Sequence, residues 1–169
     1  LYEDRKFQQN IQGALANGIQ VGVYFYSGAS NAREAYDEAS YCISLIRDYQ
    51  ITYPVAFDWE LDGDYDSVTE ACETFCNVIS SYGYQPMVYS NRNRWYNNFD
   101  GEKIASKYKV WMAAYFGKFY YDSVRWTYGD ELPNFRYHYD MWQYSSRCYV
   151  DGISGQVDVD IAFFGYANY

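Results

Sequence analysis

Val55-Ala56-Phe57-Asp58-Trp59-Glu60 closes a run that opens at Pro54 and reads as a buried strand. Side chains alternate faces along a strand, so Asp58 and Glu60 point the same way, on the order of 6–7 Å apart along the chain. Two acids on one face repel each other, and one of them tends to keep its proton near neutral pH. A protonated acid beside an ionised one is what cleavage of a glycosidic bond requires. An ordinary strand end with both acids in water carries the same D-x-E spacing. The surrounding segments decide between the two readings.

Upstream, Phe7, Ile11 and Leu15 recur every four residues, so Asp4 to Asn17 reads as a helix that stops at Gly18. Ile19 to Tyr26 follows as an apolar strand. A second helix runs from about Ala32 to Asp48, with Asn31 as its cap and Glu34 three residues on. Downstream, Ser67 and Glu70 form a capping box for a helix that ends at Gly83. Met87 to Ser90, Lys109 to Tyr115, Tyr139 to Tyr144 and Gln156 to Ile161 read as further strands, with a short helix around Trp95. Residues 116–136 follow neither period and read as a long surface loop, with room for a hairpin. Strands alternating with helices imply a mostly parallel sheet with right-handed crossovers. About six strands and three solid helices fall short of the eight of each in a full α/β barrel. The expected fold is therefore α/β, an incomplete, irregular TIM-like barrel, and no linker divides residues 1–169 into more than one domain.

The formal net charge of −9 argues against a nucleic-acid backbone or an anionic membrane as partner, since both need a basic surface. A weakly charged ligand fits better. The 23 tyrosines and 5 tryptophans suit a sugar, whose C–H faces stack on rings, although most aromatics fill cores. No run is long enough to span a membrane. Cys72 and Cys76 lie one helical turn apart among apolar residues and read as buried thiols. With His138 as the single histidine and no C-x-x-C spacing, neither a metal nor a cofactor is implied. Leu1 is not an initiator methionine, so a processed chain or a piece of a longer one is expected.

The order of these pieces resembles glycoside hydrolase family 25, the Chalaropsis-type lysozymes or N-acetylmuramidases. Gly18-Ile19-Gln20-Val21-Gly22-Val23-Tyr24 is similar to the family's G-x-x-V-G-x-Y strand, and Pro54 through Glu60 to its P-V-x-x-D-x-E strand. Gly83-Tyr84-Gln85-Pro86-Met87-Val88-Tyr89-Ser90 resembles G-Y-x-P-x-I-Y-S, and Trp111-Met112-Ala113-Ala114-Tyr115 resembles W-I-A-x-Y. Trp142-Gln143-Tyr144-Ser145 and Val157-Asp158 resemble the closing W-Q-Y-S and V-D. Asp4-Arg5-Lys6-Phe7 resembles the helix before the third barrel strand. Two family strands, the first bearing an aspartate near G-I-D-V-S, have no counterpart here. If the chain starts at Leu1, the strand from Ile19 to Tyr26 is expected to form an uncovered edge.

The resemblance implies a peptidoglycan hydrolase that cuts the β-1,4 bond between N-acetylmuramic acid and N-acetylglucosamine. It assigns Glu60 as general acid and then base. Asp58 supports the 2-acetamido group, whose carbonyl oxygen attacks the anomeric carbon. Asp158 is the third acid; its neighbour Asp160 is expected to be a solvated turn acid. Phe57 and Trp59 are expected to half-bury Glu60 and favour its protonated form. Tyr24, Tyr89, Tyr115 and Trp142 are candidate substrate contacts, whereas Trp59 should pack behind the sheet. The implied partner is the glycan strand of bacterial peptidoglycan, with no protein partner marked, and the implied place of action is secreted or wall-associated, a phage lysin included. The alternative is a non-catalytic module that holds cell-wall glycan on the same fold. An unrelated α/β hydrolase has no support, since no G-x-S-x-G elbow occurs.

Overall fold

A computed structural model describes residues 1–164. Six strands form one sheet in the order of the chain: β1 (Val23–Tyr26), β2 (Val55–Asp58), β3 (Pro86–Asn91), β4 (Lys109–Ala113), β5 (Met141–Cys148) and β6 (Val157–Ala162). β1 to β5 run parallel, and β6 pairs antiparallel with β5. The reversal follows from the connector. Residues 149–156 are too few for a crossover, which takes a dozen or more, and suffice for a return. The sheet curls as an incomplete barrel with β1 at one edge, as the sequence implied.

Helices fill the crossovers. α1 (Phe7–Ala16) precedes β1, α2 (Ala32–Ile46) joins β1 to β2, and α3 (Tyr65–Ser81) joins β2 to β3. The short α4 (Arg92–Asn97) and α5 (Gly101–Ala105) lead to β4, and α6 (Gly117–Tyr121) follows it. Asn31 caps α2, accepting the Glu34 N–H at 3.0 Å. For α3 the capping box is displaced. Asp64 is the cap and accepts the Ser67 N–H at 3.0 Å, so Ser67 already lies in the first turn. An aspartate ahead of a serine wins because its carboxylate also favours the positive end of the helix. Gly83 takes φ +84° just past α3, a left-handed conformation that glycine adopts without strain. The stretch 116–136 is not wholly irregular, since α6 occupies its start.

Alternation sorts each strand. Val55 and Phe57, Val88, Val110 and Met112, and Trp142 and Tyr144 turn to the helices and are buried there. Against them pack Ala35, Ala39, Cys42, Ile43 and Ile46 of α2, and Val68, Cys72, Phe75, Cys76 and Ile79 of α3. Phe75 is central, with ring centroids 5.2 Å from Phe57 and 5.9 Å from Phe25. All four cysteines are buried and unbridged, and Trp59 lies 6.2 Å from Phe57 with parallel rings. This helix-covered face fixes the phase of every strand, and so decides which residues emerge on the other side.

Candidate active site

On the face away from α2 and α3, parallel register lines up Tyr26, Asp58, Tyr89 and Trp111 in a row across β1 to β4. A cleft of about 320 Å³ opens over that row. Tyr24 and Tyr26 form one wall, Asp58, Glu60, Tyr89, Trp111 and Gln143 the floor, and Asp158 and Asp160 of β6 the other wall. Tyr26, Asp58 and Tyr89 come from the C-terminal halves of β1 to β3, and Glu60 lies just beyond β2, the usual location of a site on such a sheet. β6 runs the other way, so its acids enter the same rim from the opposite direction.

Asp58 and Glu60 share the cleft, as their spacing implied, but their environments differ. Asp58, the last residue of β2, is 5 % exposed, whereas Glu60 has left the sheet and is exposed. The expected half-burial of Glu60 is thus corrected: the burial falls on Asp58, because β2 stays enclosed between β1 and β3 as far as that residue. Asp58 is pushed up to about 7, first by burial, then by the charges of Glu60 and Asp158. Its Oδ1 is buried and has no hydrogen-bond partner among the described residues. A buried polar atom left unmatched is costly, and the residue that carries it lines the cleft.

Asp160 also departs from expectation. It is half-buried rather than solvated, and its Oδ1 accepts the Trp111 indole N–H at 2.7 Å. Burial pushes it up to about 7, with the Asp158 charge adding to the rise and the indole bond opposing it. Asp158 is exposed at the rim.

Three of the four candidate aromatic contacts lie on the cleft side. Tyr24 is 65 % exposed on the wall, and burial together with Asp58 raises its phenol. Tyr89 is buried, and its ring centroid lies 4.6 Å from that of Trp111. Tyr115, just past β4, reaches the floor through Gln143. Trp142 is a correction. It is fully buried on the helix side, its ring 5.5 Å from Phe116 and 5.7 Å from Phe119, and its indole donates to Ala114 O at 2.9 Å. No sugar can reach it.

Sequence reasoning missed Tyr26, Trp111 and Gln143, and set Asp160 aside. The period-two rule would have found Trp111 and Gln143. Trp111 shares a face with Tyr115, and choosing Trp142 for the cleft necessarily turned Gln143 away. His138 is exposed, 3.4 Å from Asp140 Oδ1 and outside the cleft lining. Among the described residues, no group of three or more His, Cys, Asp or Glu side chains is arranged to hold a metal ion.

The site can supply two closely coupled acids at the floor, two further acids on one wall, and tyrosines that face them. Comparison with known proteins gives this arrangement a family. The family model described as glycosyl hydrolases family 25 matches residues 1–153. The autolytic lysozyme of Clostridium acetobutylicum is 26 % identical over 164 residues, covering 94 % of this chain and 44 % of that protein. The lysozyme of Streptococcus phage Cp-1 is 29 % identical over 137 residues, covering 75 % of this chain and 37 % of that protein. The chain thus spans less than half the length of these curated relatives. Among solved structures, the CTP1L endolysin superposes with a TM-score of 0.78 at 26 % identity, over 96 % of this chain and 54 % of that one. The autolysin LytC of Streptococcus pneumoniae, solved in complex with a synthetic peptidoglycan ligand, superposes with a TM-score of 0.74 at 29 % identity, over 94 % of this chain and 37 % of that one. Fold, order of motifs and the match over most of its length place the chain in glycosyl hydrolases family 25.

Proposed function

We propose that the cleft binds peptidoglycan glycan strands at the bacterial wall and hydrolyses the β-1,4 bond between N-acetylmuramic acid and N-acetylglucosamine. The observation that carries this reading is the pairing of a buried Asp58, raised to about neutrality, with an accessible Glu60 in one open cleft, so that the two carboxyls share a proton. Neighbouring carboxyls titrate as a pair, so access decides which member delivers the proton. Glu60 stands where a leaving sugar oxygen can reach it and is the general acid. Asp58 lies deeper, with an oxygen lacking a partner among the described residues, and suits an acetamido N–H.

The reaction then runs in two steps. The acetamido carbonyl oxygen attacks the anomeric carbon as the glycosidic C–O bond breaks, and Glu60 gives its proton to the departing oxygen. Positive character grows on the acetamide nitrogen, where Asp58, poised about neutrality, stabilises it as an anion. Water next attacks the anomeric carbon and yields its proton to Glu60, which restores the acetamide and the acid. Asp158 at the rim keeps the field negative around these developing charges. The lysozyme relatives and the peptidoglycan-bound LytC structure support the choice of substrate.

Glu60→Gln tests the assignment. The variant should fold as the unaltered chain does and fail to clear suspensions of purified cell walls. Undiminished clearing would refute the role given to Glu60. Calorimetric binding of wall fragments by an unaltered chain that clears nothing would favour a glycan-holding module instead.

A further inference from the structure

The cleft floor has a hydrogen-bond polarity, and one neutral residue sets it. Gln143 sits on β5 opposite Ala113 of β4 and Asp160 of β6, and it is 5 % exposed. Its Oε1 accepts the Tyr89 hydroxyl at 2.7 Å and also accepts the Tyr115 hydroxyl. The two phenols are within hydrogen-bonding reach of each other as well. Three oxygens thus gather around two phenolic protons, with the Ser146 hydroxyl also within reach of Tyr115. Both phenols keep those protons over any working pH: burial pushes Tyr115 up to about 12 and Tyr89 higher still.

We infer that Gln143 is the positioning residue of the floor, drawing both phenolic protons onto its carbonyl so that Tyr89 and Tyr115 meet the ligand as acceptors. A phenol has one proton to give. With both directed to Gln143, only phenolic lone pairs remain for the cleft. The Trp111 N–H is likewise taken, by Asp160. Among the described residues, the cleft lining holds no Lys, Arg or His. The Gln143 amide N–H₂ is then the donor that the floor offers without titrating, beside the acids that keep a proton. A ligand rich in O–H and N–H groups, with one carbonyl to receive the amide, satisfies this pattern; an anionic group does not. Resting on the glycan reading above, the inference assigns this patch to hydroxyl and acetamido groups. It also requires any carboxylate on the ligand to point out of the cleft. Without the Gln143 oxygen, one hydroxyl would turn onto the other and the second proton would face the ligand, reversing the polarity.

Two thermodynamic cycles test this, each comparing Gln143→Met in the native background and in the Tyr89→Phe/Tyr115→Phe background. The first reads urea midpoints and needs no substrate. Gln143→Met should lower the midpoint in the native background and lower it less where no hydroxyl needs an acceptor. Equal shifts in both backgrounds would overturn the inference. The second reads hydrolysis of a purified peptidoglycan tetrasaccharide per folded molecule. Two neutral hydrogen bonds correspond to a loss in kcat/KM of about thirty-fold. That loss should fall on KM, because the phenols hold the ligand while Asp58 and Glu60 do the chemistry. In the double-Phe background the further loss should be under about threefold. A loss in kcat alone, or an equal loss in both backgrounds, would refute the positioning role. Should Gln143→Met fail to fold, Gln143→Asn, which withdraws the carbonyl by one methylene, serves in both cycles. A native chain that cleaves nothing would defeat the proposed function, and the urea cycle alone would then decide the inference.

Discussion

Replacing Asp58 by Asn should stabilise the protein above neutral pH and leave it nearly unchanged in acid. Asp58 is 5 % exposed, and its carboxyl is pushed up to about 7, chiefly by burial and then by the charges of Glu60 and Asp158. In the unfolded chain the same group titrates at about 3.9. Below that value both states hold the proton, and the group costs folding nothing. Between about 4 and 7 the unfolded state releases the proton while the folded state retains it, so stability falls as pH rises. Above about 7 the folded state must carry the buried charge, and the loss is complete. Roughly three pH units at about 1.4 kcal/mol each give an upper bound of about 4 kcal/mol. Water entry from the open cleft reduces this toward about 2 kcal/mol. Asn keeps the shape and removes the charge. At pH 8 its melting temperature should exceed that of the native chain by about 5 to 10 °C, and at pH 4 the two should agree within about 3 °C. Scanning calorimetry from pH 4 to 9 reads the difference directly. Curves that stay parallel across that range would show that Asp58 ionises in the folded protein as it does in water, and the argument from burial would fail.

Two further substitutions probe the frame. Trp142→Ala should cost about 3–5 kcal/mol, because it empties a fully buried site between Phe116, Phe119 and Tyr144. Its signature is a lowered urea midpoint with an unchanged KM in the molecules that remain folded; a raised KM at full stability would return Trp142 to the ligand. Asp64→Ala should cost about 1 kcal/mol through the lost cap of α3, whereas Ser67→Ala should cost less, and urea titration of both variants separates the two residues as caps.

The face-level pattern was readable from residues because burial on one side enforces it. Val55 and Phe57 had to meet the helices, which left Asp58 for the cleft, and the same parity sent Trp59 behind the sheet. Where parity was not applied, the reading failed: Trp142 was chosen for its chemistry, although its neighbour Gln143 occupies the cleft phase. Burial depth was not readable, since it depends on where pairing stops. β2 ends at Asp58, so Glu60 emerges, and no local feature of the hexapeptide marks that point. Asp160 escaped for a similar reason. Its partner, Trp111, lies 49 residues away in sequence, and only the antiparallel return of β6 brings them together. The cap of α3 was misplaced by three positions because Ser67 and Asp64 both satisfy cap chemistry.

That antiparallel return makes the β5–β6 pairing the ruler for the two acids of β6. Two irregularities in the β5–β6 pairing, between Gln143 and Ser145 and between Ser145 and Cys148, already take up slack in the spacing. A strand that slides by one position presents its opposite side throughout. A slip of one position in that pairing would therefore swing Asp158 and Asp160 together out of the groove and bring Val157 and Val159 in. The wall of the groove would change from acidic to greasy with every other part untouched. The register of one antiparallel pair is thus as strict a requirement for this site as the identity of its acids.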